Sequence, residues 1–314
     1  LSNIKSQQPK SQSITILGAG AWGNALAAIA LANNHNVRIW SRRGSLTLAN
    51  AVENADIILS AVSMSGVSQV ARQIQSLPIS SQVIFVTATK GLDPETTRTP
   101  AQIWQEMFPS HPVVVLSGPN LSKEIQQQLP AATVVASYSP TAAESIQQVF
   151  SSPRFRVYTN LDPLGVELGG TLKNVIAIAA GVCDGLELGT NAKAALVTRG
   201  LAEMVRIGVF WGAKPETFYG LSGLGDLLAT CNSPLSRNYQ VGYQLAQGKT
   251  LTEILTHLPG TAEGVNTCRV LLQRAHQYHI SMPIAEQVQR ILEGEITPTD
   301  ALTELMLRDA KPEQ

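Results

Sequence analysis

The chain has only three cysteines, Cys183, Cys231 and Cys268, widely separated and odd in number. That excludes a disulfide framework and the spacing of a zinc site, and it fits a reducing compartment. The five histidines are scattered. His276 and His279 stand three residues apart with no further ligand-spaced partner, so no metal is expected and the pair reads as surface. Excess charge is missing too, with Lys+Arg and Asp+Glu equal at 23 each. Such a balance argues against general nucleic-acid binding, and any anionic ligand must meet a local cluster. No apolar run of about 18 residues lacks a break, so no membrane span is expected. Residues 1–12 are polar, Gln- and Ser-rich, with two lysines and no apolar centre. They read as a disordered start, neither a signal nor a transit peptide. The first residue is Leu1, which leaves the true N-terminus open. A cytoplasmic location is the expectation from these absences.

One further absence is local. The strand pattern Val37–Trp40 ends in Ser41-Arg42-Arg43, where no Asp or Glu stands. Its meaning comes from Ile14-Thr-Ile-Leu-Gly18-Ala-Gly20-Ala21-Trp22-Gly23, about twenty residues earlier. An apolar run enters a G-x-G-x-x-G loop, and a small-residue helix pattern, Asn24–Leu31, leaves it. Strand, tight turn and helix N-terminus together make a pyrophosphate site. Gly18 makes the turn, Gly20 lets backbone approach phosphate, and Gly23 lets the helix pack closely on the sheet. The plain alternative is a strand-to-helix turn that binds nothing. An acid after the second strand would hold the ribose 2′-hydroxyl of NAD, whereas Arg42 and Arg43 suit a 2′-phosphate. The alternative for the arginines is a solvated turn. NADPH is therefore expected ahead of NADH.

What the chain has in abundance is core: 44% of residues are apolar and 15% charged. Its 314 residues suffice for about two domains. Short apolar strands are expected at Ile14–Leu17, Val37–Trp40, Ile57–Ala61, Val83–Thr87, Val113–Leu116 and Thr133–Ala136, followed by a last extended piece at Phe155–Tyr158. Helix patterns lie between them, including Gly66–Ile74, Pro100–Met107 and Thr141–Val149. This alternation gives an α/β domain with a doubly wound, Rossmann-like, mostly parallel sheet. The connection from Arg42 to Asp56 leaves room for only a small helix. Beyond 158–163 the texture changes to helical spacing in Leu164–Ala180, Ala192–Val209, Leu224–Thr230, Gln240–Gln247, Gly264–Tyr278 and Ile284–Leu292. The expected organisation is a disordered segment over 1–12, a dinucleotide-binding domain over 13–160 and an all-helical, substrate-binding domain over 161–314. That apolar helical domain leaves room for a homodimer, which no sequence feature fixes.

Polar residues in apolar surroundings carry the chemical clues, because burying them without purpose is costly. Lys173 and Asn174 interrupt Val166–Ala180, otherwise almost wholly apolar. Desolvation there would lower the lysine's pKa and suit it to proton transfer; a snorkelling lysine is the alternative. Lys90 follows the C-terminal end of a strand, the rim where open α/β sheets bind ligands, and Ser117-Gly118-Pro119 follows the next. Both also read as loop punctuation. Gly220–Asp226 is a glycine-rich turn whose acid either begins a helix or holds a catalytic lysine. Ser236-Arg237-Asn238 offers hydroxyl, guanidinium and amide, a set suited to a phosphate monoester, or else a helix cap and a solvated arginine.

Together these segments resemble the bacterial-type NAD(P)-dependent glycerol-3-phosphate dehydrogenases, from about Ile14 to about Leu307. The marks are Gly18–Gly23, Ala88–Leu92, Ser117–Pro119 with Lys123-Glu124, Leu172–Val175, Thr198–Met204, Gly223–Asp226, Ser236–Asn238 and Gly260–Gly264. The resemblance implies reversible reduction of dihydroxyacetone phosphate to sn-glycerol 3-phosphate, the backbone of glycerophospholipids. It implies Lys173 as proton donor and acceptor, with Lys90 and Asp226 as the other catalytic residues. Substrate would be held by Lys90, Gly118, Lys173, Asn174, Asp226, Thr230, Ser236, Arg237 and Asn238. Cofactor would be held by Gly18, Gly20, Ala21, Trp22, Gly23, Arg42, Arg43, Lys90, Ser122, Arg237 and Glu263. The chain departs from the family pattern at Asn120, Ser122 and Thr261, and in its short Arg42-to-Asp56 connection. Two rivals stand beside this reading: a reductase of the same architecture acting on a hydroxy or sugar acid, and a cofactor sensor without catalysis. Lys90, Lys173 and Asp226 together argue against the sensor.

Overall fold

The structure, a computed structural model, describes residues 11–310 and Pro312. Residues 1–10, most of the expected disordered start, lie outside the described residues. Ser11 and Gln12 hydrogen-bond to the Asn34 carbonyl and the His35 ring. Contacts divide the chain into two compact units. The first holds 11–89, Ala101–Leu116 and Ser122–Pro163, and the second holds Lys90–Pro100, Ser117–Leu121 and the chain from Leu164 onward.

The first unit alternates strand and helix: β1 (Ser13–Leu17), α1 (Ala21–Ala32), β2 (Asn36–Trp40), α2 (Leu48–Val52), β3 (Ile57–Ser60), α3 (Met64–Gln75), β4 (Ile84–Thr87), α4 (Pro100–Met107), β5 (Val113–Ser117), α5 (Ser122–Gln126), β6 (Ala131–Ala136), α6 (Pro140–Phe150) and β7 (Phe155–Asn160). Each expected strand is present with ends within two residues. They form one sheet in the order β2-β1-β3-β4-β5-β6-β7. Pairing is parallel at β1–β2, β1–β3, β3–β4, β4–β5 and β6–β7, with Ile14 opposite both Val37 and Ile57. Alternation along the strands feeds two cores, as expected where helices cover both faces. Ile14, Ile16, Ile57 and Leu59 join one, while Leu17, Ile58 and Phe85 join the other. In the second core Phe85 stacks on Trp104 and Phe108, with ring centroids 5.2 and 4.3 Å away. The chain runs from β1 outward to β2, then returns past β1 to β3. The strand order therefore reverses at the C-terminal ends of β1 and β3, where open α/β sheets bind ligands.

The second unit is helical: α7 (Pro163–Gly185), α8 (Gly189–Phe210), α9 (Pro215–Phe218), a π-helical turn (Leu221–Gly225), α10 (Asp226–Cys231), α11 (Arg237–Ala246), α12 (Leu251–His257), α13 (Glu263–Gln277), α14 (Pro283–Leu292) and α15 (Pro298–Met306). α7 is long and apolar enough to cross a membrane, but its most apolar window is wholly buried in the fold. The α14 N-terminus is capped from outside: Ile284 and Ala285 N–H donate to the buried Glu203 carboxylate at 2.7 and 3.3 Å. Among the described residues four helices lie outside the sequence expectation, α5, α9, α12 and α15. Two of these carry a local start signal. Thr250 with Glu253 and Thr297 with Asp300 form reciprocal capping boxes.

The turn between β1 and α1 rests on bare glycine. A Cβ on Gly23 would stand 2.0 Å from the Gly18 carbonyl oxygen, whereas one on Gly20 meets nothing within 4 Å. Gly23→Ala is expected to cost about 1–3 kcal/mol of unfolding free energy, the range for overpacking. Gly20→Ala should cost less. Urea melts of the two variants check this, and equal losses would remove the packing role assigned to Gly23.

Candidate active site

The sheet unit presents the glycine loop at the strand reversal. Gly18 takes the left-handed conformation, φ +117°, and its N–H donates to the Trp40 carbonyl at 2.8 Å. A Cβ there would lie 2.6 Å from the Ala61 oxygen, at the end of β3. Gly20 is exposed and precedes α1, whose first turn has no side-chain cap and no acid. Helix-terminal N–H groups behind open space, with no competing carboxylate, fit a pyrophosphate. Ala21 is exposed, while Trp22 is half-buried and packs against the sheet core behind the loop. Ser122 begins α5, which lies against α1: Gln126 Nε2 donates to the Ala21 carbonyl at 3.3 Å. Arg42 and Arg43 are exposed in a turn closed by the Gly44 N–H on the Ser41 carbonyl, directly after β2.

The helical unit brings the predicted lysines and acid together. After the π-helical turn the chain enters α10, and Asp226 is its first residue. Gly223 makes the turn possible, since a Cβ there would stand 2.0 Å from the Phe218 carbonyl oxygen. The Asp226 side chain is 3% exposed. Lys90 pairs with its Oδ2, and Lys173 Nζ lies 2.7 Å from its Oδ1. Thr230, one turn along α10, donates its hydroxyl to Oδ1 at 3.2 Å and accepts from Lys173 Nζ at 2.5 Å. Two ammonium groups thus share one carboxylate, leaving net positive charge in a dry setting. Burial pushes the Lys173 ammonium down to about 8; Asp226 opposes that fall and Lys90 adds to it. A lysine there exchanges its proton near neutral pH. Lys173 does not snorkel, its side chain being 8% exposed, while Lys90 reaches the surface at 24%.

The second donor set lies in the same unit. Ser236 caps α11, its oxygen accepting from Tyr239 N–H at 3.2 Å, which leaves the hydroxyl hydrogen for a ligand. Arg237 is exposed and Asn238 buried. Asn238 Oδ1 accepts from Gly264 N–H at 2.9 Å, which leaves the amide hydrogens as what it can offer a ligand. The Arg237 guanidinium lies over Gly260, where a Cβ would come within 2.4 Å of Nη1 and where φ is +87°. Asn174 is buried next to Lys173, and its carbonyl oxygen would lie 2.7 Å from a Cβ on Gly264. Gly264 thus touches both asparagines. Glu263, half-buried, begins α13. Gly118 is buried at the end of β5.

Sequence reasoning passed over the residues that make room for this centre. A Cβ on Gly169 would lie 2.8 Å from the Ser222 carbonyl oxygen, and one on Gly170 2.3 Å from Ser117 Oγ and 3.4 Å from Lys90 Cε. The glycine pair lets the π-helical turn and Lys90 reach α7. Thr171 beside it accepts from Gly91 N–H at 3.1 Å and fixes the backbone after Lys90. The signal was two adjacent glycines inside a helix, where each costs about 1 kcal/mol and so requires a reason.

The glycine loop and the lysine-aspartate centre match one family in order along the chain. The profile described as NAD-dependent glycerol-3-phosphate dehydrogenase N-terminus matches residues 13–47 and 43–143, and its C-terminus counterpart matches residues 162–303. The chain belongs to this family. Glycerol-3-phosphate dehydrogenase [NAD(P)+] of Trichormus variabilis is 75% identical over 300 residues, covering 96% of this chain and 98% of the relative. The enzyme of the same name from a Nostoc species is 74% identical over the same shares. The crystal structure of glycerol-3-phosphate dehydrogenase from Coxiella burnetii superposes with a TM-score of 0.91 at 34% identity, covering 95% of this chain and 99% of that one. This glycerol-3-phosphate dehydrogenase family member is accordingly an NAD(P)-dependent oxidoreductase.

The pairing makes a prediction about Lys173. Asp226→Asn removes the attraction that holds the ammonium up, so the lysine should lose its proton at a pH below about 8. Carbon NMR titration of the labelled Lys173 ε-methylene reads this directly. An unmoved titration would show that Asp226 does not set the lysine's proton affinity.

Proposed function

We propose that this chain reversibly reduces dihydroxyacetone phosphate to sn-glycerol 3-phosphate, in the cytoplasm, with NADPH ahead of NADH. The observation that carries the reading is the buried Lys173, poised near neutral pH on a carboxylate shared with Lys90. A nicotinamide cofactor, when bound, would supply the hydride for the carbonyl carbon. Lys173 donates its proton to the carbonyl oxygen during reduction and takes it back during oxidation. Lys90, paired to the other oxygen of Asp226, supplies positive charge for the developing alkoxide. Asp226 and Thr230 hold Lys173 in place, and Asn174 orients the substrate hydroxyl. Ser236, Arg237 and Asn238 grip the phosphate, with Gly118 adding a backbone contact. Binding energy from that unreactive phosphate fixes the three-carbon chain for transfer.

On the cofactor side, Gly18, Gly20, Ala21, Trp22 and Gly23 receive the pyrophosphate, and Arg42 with Arg43 reads the 2′-phosphate. Lys90, Ser122, Arg237 and Glu263 complete that set. Three buried free cysteines fit a reducing cytoplasm. The product suits supply of the glycerophospholipid backbone.

The deciding experiment oxidises NADPH and NADH side by side with dihydroxyacetone phosphate; no turnover with either sinks the reading. Lys173→Ala should lower kcat by at least about a hundredfold while NADPH still binds. In the unsubstituted enzyme, reduction should fall as pH rises through about 8, because the protonated lysine is the donor, and oxidation should rise through the same range. Near-normal turnover in Lys173→Ala would take the lysine out of its role. Arg42→Ala combined with Arg43→Ala should raise Kd for NADPH far more than for NADH, measured by fluorescence titration. Equal losses for both would show that the arginines do not read the 2′-phosphate.

A further inference from the structure

Two helices carry five of the nine proposed substrate contacts. α7 carries Lys173 and Asn174, and α11 opens with the Ser236–Asn238 donors. Glycines bring their backbones together. A Cβ on Gly181 would stand 2.1 Å from the Tyr239 carbonyl oxygen, and one on Gly242 1.8 Å from that of Ile178. Gly185 continues the contact, where an added Cβ would stand 2.6 Å from the Ala246 Cβ. So close a crossing fixes the separation of the helices, because neither backbone has a side chain to retract. It does not by itself fix their register.

Register is supplied by a polar contact one residue beyond the donor set. Tyr239 donates its hydroxyl to Asp184 Oδ2 at 2.7 Å. Lys193, from α8, donates to the same oxygen at 2.6 Å, and its Nζ stands 5.5 Å from the Tyr239 ring centroid. Burial and then the bond to Asp184 push the Tyr239 hydroxyl above the usual phenol range, so it remains a donor. Asp184 lies eleven residues beyond Lys173, about three helical turns, and so on the same face of α7. Tyr239 follows Asn238 directly. The path from proton-transfer lysine to phosphate donors is thus one stretch of helix, one carboxylate bridge and one step along the chain. A slip of one residue along α7 would move the donors by about 1.5 Å, close to the length of a carbon–carbon bond.

We propose that Tyr239, anchored by Asp184 and Lys193, is a positioning residue that fixes the spacing between Lys173 and the Ser236–Asn238 donors, and thereby selects the chain length of the phosphorylated substrate. The inference rests on the reading of this site as a ketose-phosphate reductase. None of the three residues touches substrate in this scheme.

The test compares dihydroxyacetone phosphate with L-erythrulose 4-phosphate, one carbon longer, in the full chain with NADPH. Tyr239→Phe should raise KM for dihydroxyacetone phosphate about tenfold, the effect of losing a hydrogen bond to a charged group. Its kcat should stay within about twofold, the mark of lost binding rather than lost chemistry. The preference for the three-carbon over the four-carbon substrate should narrow in Tyr239→Phe, and also in Gly242→Ala, where the added Cβ forces the crossing apart. If Gly242→Ala does not fold, Asp184→Asn replaces it with the same expectation. Unchanged KM and unchanged preference in Tyr239→Phe overturn the proposal. So does a fall in kcat that is equal for both substrates and tracks lost thermal stability. Failure of the unsubstituted enzyme to reduce dihydroxyacetone phosphate overturns the functional reading first, and this inference with it.

Discussion

A single buried carboxylate sets the terms for the helical unit. Asp226 holds Lys90 on one oxygen and Lys173 on the other, with its side chain 3% exposed. Charges withdrawn from water persist only when paired and hydrogen-bonded, so the acid needs its lysines and they need it. Three separate stretches of chain must therefore converge: the segment after β4, the middle of α7, and the turn before α10. Much of the local architecture serves that convergence. Gly169 and Gly170 strip side chains from α7 where the other two stretches approach, Gly223 permits the π-helical turn, and Thr230 fills the remaining hydrogen-bonding capacity.

The sheet unit obeys a different constraint, close backbone approach. Its three loop glycines answer three separate demands: a left-handed turn at Gly18, open space at Gly20 and helix contact at Gly23. Because the demands at Gly18 and Gly23 admit little but glycine, this part of the site was legible in the sequence. Lys173 was legible for a related reason, since a lone ammonium in an apolar helix is costly unless used. The strands were legible from short apolar runs that a covered parallel sheet requires.

Other features depended on information that no local pattern carries. Whether Asp226 would cap a helix or hold a lysine turned on the π-helical turn, which aims the carboxylate, and on Gly170, which admits Lys90. Ser236 could be read as cap or ligand donor, and its oxygen is a cap acceptor while its hydrogen is left over. Asn238 commits its carbonyl to Gly264, a residue distant in sequence. The local signal for α12 and α15 lies in their capping boxes, Thr250–Glu253 and Thr297–Asp300, rather than in a long run of hydrophobic spacing.

The length of α7 bears on how the chain is made. Pro163–Gly185 is long and apolar enough, by length and composition, to cross a bilayer. During synthesis it leaves the ribosome before α8 to α15, the helices that later cover it. Until they follow, the growing chain displays a segment that insertion machinery could accept. Lys173 stands at the middle of that segment, where one lysine costs about 2.5–3.5 kcal/mol for entry into a membrane. The ammonium that ends up buried against Asp226 thus also biases the unfinished chain away from the bilayer.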